Sequence, residues 1–130
     1  MATMTEKKAK KSVERGRENK TEDDLKRVLD KKKKIEGKFK GSGPLGRFIS
    51  EVKLLFSICS DYYNGNYREV PWHTIAAIIF ALAYVLSPID LIPDFIPGIG
   101  LVDDALIVAA CLALVEQDLT QYAEWKKQNA

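Results

Sequence analysis

Apolar positions thicken along this chain, from almost none at the N-terminus to unbroken runs in the second half. Met1 to Asn19 holds Val13 as its only large aliphatic residue after the two methionines, too little apolar surface to offset ordering, and reads as disordered or transiently helical. Thr21-Glu-Asp-Asp24 then marks a helix start, with acids where the helix dipole favours them. Leu25, Val28, Leu29, Ile35 and Phe39 follow at helical spacing, interrupted by Lys31-Lys-Lys-Lys34, and Gly41-Ser-Gly-Pro44 ends that helix. Leu45, Phe48, Ile49, Val52, Leu55, Phe56, Cys59, Tyr62 and Tyr63 line one face of the next helix, which Asn64-Gly-Asn66 stops. Ile75 to Leu86 is twelve apolar residues in a row, inside a stretch of twenty from Val70 to Ile89 without a formal charge. About twenty apolar residues suffice to cross a bilayer core as a helix. A second apolar run of eleven residues spans Ala105 to Val115.

Between these runs lies the densest group of backbone breakers. Ser87-Pro88-Ile89-Asp90 fits an N-cap, a proline at the first helical position and an acid reaching back as in a capping box. Pro93 and Pro97 stop any continuation, and Gly98 and Gly100 allow the chain to reverse. Asp103 or Asp104 then caps the second apolar helix. The remaining reading is that Asp90, Asp94, Asp103 and Asp104 converge on a hard cation, Mg²⁺ or Ca²⁺. Their spacing lacks the alternate ligands and sixth-position glycine of a calcium loop, so carboxylates that satisfy proline-broken backbone are the stronger expectation.

Charge is distributed unevenly. Residues 1–53 carry 17 Lys and Arg against 9 Asp and Glu, whereas residues 54–130 carry 3 against 9. A basic front half and an acidic, apolar back half direct the front towards an anionic surface. The Lys31–Lys34 run is read as a solvated helix face or as a site for anionic lipid headgroups, at about 1 kcal/mol per basic side chain. Nucleic acid is disfavoured, because no groove-entering or aromatic-rich module accompanies the charge. Cys59 and Cys111 sit in apolar helical patterns and read as core thiols. The N-terminus lacks the apolar core of a secretory signal. Enzymatic constellations are missing: His73 is the only histidine, and no glycine-rich phosphate loop follows a strand.

Three features favour a membrane hairpin over a soluble four-helix bundle. The connecting loop has no Lys or Arg, whereas Arg68, Lys126 and Lys127 flank the pair, as expected when both termini stay cytoplasmic. An antiparallel pair would bring Tyr62, Tyr63, Tyr67 and Trp72 level with Tyr122 and Trp125 as an aromatic belt. Ala105, Ala109 and Ala113 form a small-residue stripe matched by Ala77 and Ala81.

The run Tyr84-Val-Leu-Ser-Pro-Ile-Asp-Leu-Ile-Pro-Asp-Phe-Ile-Pro-Gly-Ile-Gly-Leu-Val-Asp-Asp104 closely resembles the signature of the YkvA-like family, a small domain of unknown function. Its S-P-x-D-L-I-P-D and G-x-x-D-D elements fall on Ser87, Pro88, Asp90, Leu91, Ile92, Pro93, Asp94, Gly100, Asp103 and Asp104. The resemblance weakens over Leu45–Trp125 and leaves out the basic tail. It implies a membrane-associated helical hairpin and supplies no reaction.

The expectation is therefore an all-α protein: a basic, partly disordered N-terminal segment over 1–43, then an amphipathic helix and apolar hairpin over 44–130 with a Pro/Asp-rich connecting loop. The function expected is a non-catalytic scaffold or accessory subunit at the cell membrane, touching anionic lipid and a protein partner of unassigned identity, with homo-oligomerisation open. The rivals are a cation-binding or transport-related component using the aspartates and a soluble interaction module.

Overall fold

The longest uncharged run in the sequence becomes the central helix of the protein. The computed structural model describes residues 4–40, 43–86 and 104–129. Among the described residues six α-helices follow in order: α1 (Met4–Gly16), α2 (Glu22–Asp30), α3 (Lys32–Lys38), α4 (Ile49–Tyr63), α5 (Trp72–Leu86) and α6 (Asp104–Gln128). Short 3-10 turns at Arg17–Asn19 and Gly46–Phe48 lead out of α1 and into α4, and no strand occurs among the described residues. Ser87 to Asp103, with the Ser87, Pro88, Asp90, Pro93, Asp94, Pro97, Gly100 and Asp103 assignments, lies outside the described residues.

A helix that is apolar on every face must be surrounded. Eleven of the fifteen residues of α5 are buried, and α1, α2, α3, α4 and α6 all pack against it. Helix α6 runs antiparallel to α5. Thr74 Oγ1 donates to Asp118 Oδ2 at 2.6 Å, and three residues further along α5 the Cys111 thiol lies 3.6 Å from the Ala77 carbonyl oxygen. The pair is the helical hairpin that the two apolar runs predict. Its seam differs from the predicted alanine stripe. Ala77 and Ala81 are buried, but Ala109 and Ala113 line a groove beside Glu6 and Lys10 of α1. Ala105 of the stripe is buried, and Ile107, Val108, Cys111, Val115 and Tyr122 are the fully buried residues of α6.

The N-terminal segment, expected to be disordered or transiently helical, is helical. Residues 4–16 form a helix whose inner face is built from small side chains: Ala9, Ser12 and Val13 are all buried. Ser12 Oγ donates to the Lys8 carbonyl at 2.8 Å, so its burial leaves no unsatisfied hydroxyl. At the end of the same face stands Gly16, where a single methyl group would overlap the buried ring of Phe80 on α5. Glycine is used here for close approach, and Lys20 then sets its ammonium over the same ring, 5.9 Å from the centroid. The A-x-x-S-V-x-x-G spacing carries helical period but almost no hydrophobicity, which is why a hydrophobic criterion overlooks it.

The basic helix breaks where the lysine run begins. Thr21 caps α2 through a capping box with Asp24, as the acidic start predicts. Lys31 closes α2 and α3 begins at Lys32, so the predicted single helix is two. Leu25, Val28, Ile35 and Phe39 are nevertheless all buried, which fixes both pieces against the core. Helix α4 buries Val52, Leu55, Phe56, Ile58 and Cys59 and ends at Asn64, followed by Gly65 with φ of +81°. Cys59 and Cys111 are free thiols inside this core.

Candidate functional site

The polar chemistry of the described residues gathers at the open end of the hairpin, where α4 ends, α5 begins and α6 finishes. Asp61 is the centre of it. The Tyr122 hydroxyl donates to Asp61 Oδ2, Lys126 Nζ reaches the same oxygen at 3.1 Å, and Asn66 Nδ2 donates to Oδ1 at 3.4 Å. Ser57 Oγ lies 2.5 Å from the Tyr122 oxygen, so the tyrosine is held between a serine on α4 and a carboxylate one turn further along. The Asp61 side chain is only 13% exposed. Burial pushes its carboxyl up, but the hydrogen bonds from Tyr122, Lys126 and Asn66, with the Lys126 charge, outweigh that and hold it below the ordinary value of 3.8. Asp61 is therefore a charged clamp joining α4 to α6.

Aromatic rings surround the clamp. Tyr67 packs edge-on to Tyr122 at 5.1 Å between centroids and against Trp125 at 4.9 Å, while Tyr122 stacks on Trp125 at 5.8 Å. Tyr62 meets Trp72 at 5.9 Å, with the Arg68 guanidinium 4.5 Å from the Tyr62 centroid. Five of the six aromatics predicted to share a level make ring contacts, in two groups: Tyr67, Tyr122 and Trp125, and Tyr62 with Trp72. Tyr63, the sixth, points outward at 42% exposure and is the only exposed large hydrophobic side chain among the described residues.

Lys31, Lys32, Lys33 and Lys34 are all exposed around the α2–α3 junction. Neither of the two ion pairs found among the described residues, Arg27–Asp24 and Lys126–Asp61, involves them. Below this junction a cleft of about 440 Å³ opens between α2, α3, α4 and the end of α6. His73 is exposed at the start of α5, away from any nucleophile–base arrangement. Of the loop aspartates only Asp104 is described; it stands in the first turn of α6, where the helix dipole favours a negative charge. Among the described residues no group of three or more His, Cys, Asp or Glu side chains could hold a metal ion. The Asp61–Tyr122 clamp and the Thr74–Asp118 bond are absent from the sequence reading. Asp61 falls on the polar side of the α4 pattern and Thr74 at the edge of an apolar run, and pairings across 44 to 65 residues leave no local pattern.

Helical architecture, an apolar hairpin with α5 enclosed and a basic outer layer define a small all-α module. Residues 74–110, from α5 across the Pro/Asp-rich segment into α6, match the family model described as a protein of unknown function, DUF1232. The chain is also 32% identical over 80 residues to the uncharacterized membrane protein YkvA of Bacillus subtilis, an alignment covering 62% of this chain and 76% of that protein. The chain belongs to this YkvA-like family. No solved structure matches it. Helix α6, with a mean hydropathy of 1.2 over its apolar window, is long and apolar enough to cross a membrane by length and composition.

Proposed function

We propose that the chain is a non-catalytic, membrane-associated helical module, a scaffold or accessory subunit held at an anionic bilayer with both termini on the cytoplasmic side. The observation that carries this is the exposed lysine run at the α2–α3 junction, which neither of those ion pairs uses. Basic side chains near an anionic leaflet each contribute about 1 kcal/mol, so four of them suffice for a measurable partition. Apolar contact falls to α6, whose window is only 39% buried inside the protein, whereas α5 is enclosed. The antiparallel hairpin returns Trp125 and Lys126 to the level of Tyr67 and Arg68, which supports one side for both ends. The name of the Bacillus relative agrees with a membrane setting.

A second reading, a soluble interaction module, draws support from the enclosure of α5 and from Tyr63 being the only exposed large hydrophobic residue described. Vesicle flotation separates the two. The full chain is expected to float with vesicles containing anionic phospholipid and to bind purely zwitterionic vesicles at least tenfold more weakly. Recovery at the bottom of the gradient with both vesicle types favours the soluble module.

A further inference from the structure

The cleft under the lysine run has a composition that the membrane reading alone does not require. Four lysines from four helices face it: Lys26 of α2, Lys32 of α3, Lys53 of α4 and Lys126 of α6. Two acids, Asp30 and Asp61, also line it. Asp61 is already neutralised within its clamp by Lys126 and hydrogen-bonded by Tyr122 and Asn66. That leaves an excess of positive charge around a concave surface. Ser60, which accepts a weak hydrogen bond from Asn64 at 3.4 Å, adds a hydroxyl to the wall, and Leu29 and Phe56 form apolar floor. Tyr63 stands on the rim.

Like charges brought together by four separate helices repel one another, and nothing in the packing of the core demands them there: Lys26, Lys32 and Lys53 are all exposed. A compact anion placed among them removes that repulsion and accepts several charge-assisted hydrogen bonds at once. We infer that this cleft binds a phosphate group, either on a lipid headgroup or as the free anion, with Lys26, Lys32 and Lys53 as the cationic wall. The inference rests on the membrane reading for the lipid source but not for the chemistry. An exposed tyrosine at the rim suits a headgroup best, because it can rest among glycerol and upper acyl carbons while the lysines hold the phosphate. Lys126 stays with Asp61 and presents its remaining donors.

The test uses the full chain and two charge-matched double variants. Lys32→Gln with Lys53→Gln removes one lysine from each wall of the cleft. Lys33→Gln with Lys34→Gln removes the same charge from the lysine run outside it. Binding to vesicles of phosphatidylglycerol and phosphatidylcholine is measured for each, and inorganic phosphate is titrated into the vesicle-free protein while amide resonances are followed. The inference expects the cleft variant to lose at least tenfold more vesicle affinity than its control. It also expects millimolar phosphate to shift resonances of α2–α4 residues around the cleft in the native chain and not in the cleft variant. Equal losses in the two variants, with no localised phosphate shift, overturn the cleft and leave surface electrostatics intact. Absence of vesicle binding alongside a localised phosphate shift supports the cleft with the free anion as ligand, and removes the membrane reading instead.

Discussion

Replacing Gly16 by leucine asks whether α1 is docked on the hairpin or merely helical beside it. The substituent would enter space occupied by the Phe80 ring, which is itself 0% exposed and has no room to retreat. Overpacking of this kind costs about 1–3 kcal/mol. The opposing quantity is the docking of α1, which rests on burial of Val13 and Ala9. At about 0.8 kcal/mol per methylene and 1.5–3 kcal/mol for a valine, that burial is worth about 2–4 kcal/mol before ordering is subtracted. The clash therefore cancels much of the docking free energy, and α1 opens from the hairpin more readily. Hydrogen exchange read by mass spectrometry should show residues 4–16 exchanging about 5- to 150-fold faster in Gly16→Leu than in the native chain, since 1.4 kcal/mol is a factor of ten. Arg15→Leu, a change on the exposed side of the same turn, should leave protection as it was. Equal protection of α1 in the native protein and Gly16→Leu, or free exchange in both, refutes the docking.

Other consequences follow from the clamp and the core. Tyr122→Phe removes the donor to Asp61 and the partner of Ser57, and chemical denaturation should register a loss of about 1–3 kcal/mol. Because Asp61 is held below its unfolded value of 3.8, its contribution is complete above that pH and disappears as pH falls through the lowered folded value. Stability curves of the native chain and Asp61→Asn should therefore differ at pH 6 and converge in acid below pH 4, whereas parallel curves contradict the assignment. Thr74→Val strands the Asp118 carboxylate and should cost about 1–2 kcal/mol by the same measurement. Burial of Cys59 raises its thiol well above the ordinary range, and both cysteines are fully enclosed. An aromatic disulfide reagent should label neither in the folded protein and both in denaturant, with rapid labelling before unfolding as the contrary result.

Much of the architecture was legible because it depends on periodic hydrophobicity. The α5 run, the face of α4, the Leu25–Phe39 stripe and the Thr21 cap all appear where their residues predict them. The meeting of Tyr67, Tyr122 and Trp125 followed from the antiparallel hairpin alone. Helix α1 was not legible, since Ala9, Ser12 and Gly16 gain their stabilisation from close approach, a property of the partner surface as much as of their own sequence. The break at Lys31 has no hydrophobic signal, because Val28 and Ile35 on either side of it keep the i, i+7 spacing of one continuous helix and are both buried. The clamp escaped notice for a related reason: Asp61 reads as the polar side of an amphipathic helix until α6 supplies Tyr122 and Lys126. The cation reading of Asp90, Asp94, Asp103 and Asp104 falls mostly outside the described residues.

Membrane association is the claim on which the functional account stands, and cell fractionation tests it most directly. The untagged chain, expressed without detergent at any step, is separated by ultracentrifugation after a high-salt wash. The protein is expected to sediment with the membrane fraction, because α6 contributes apolar contact that salt does not weaken. Recovery in the supernatant would contradict it.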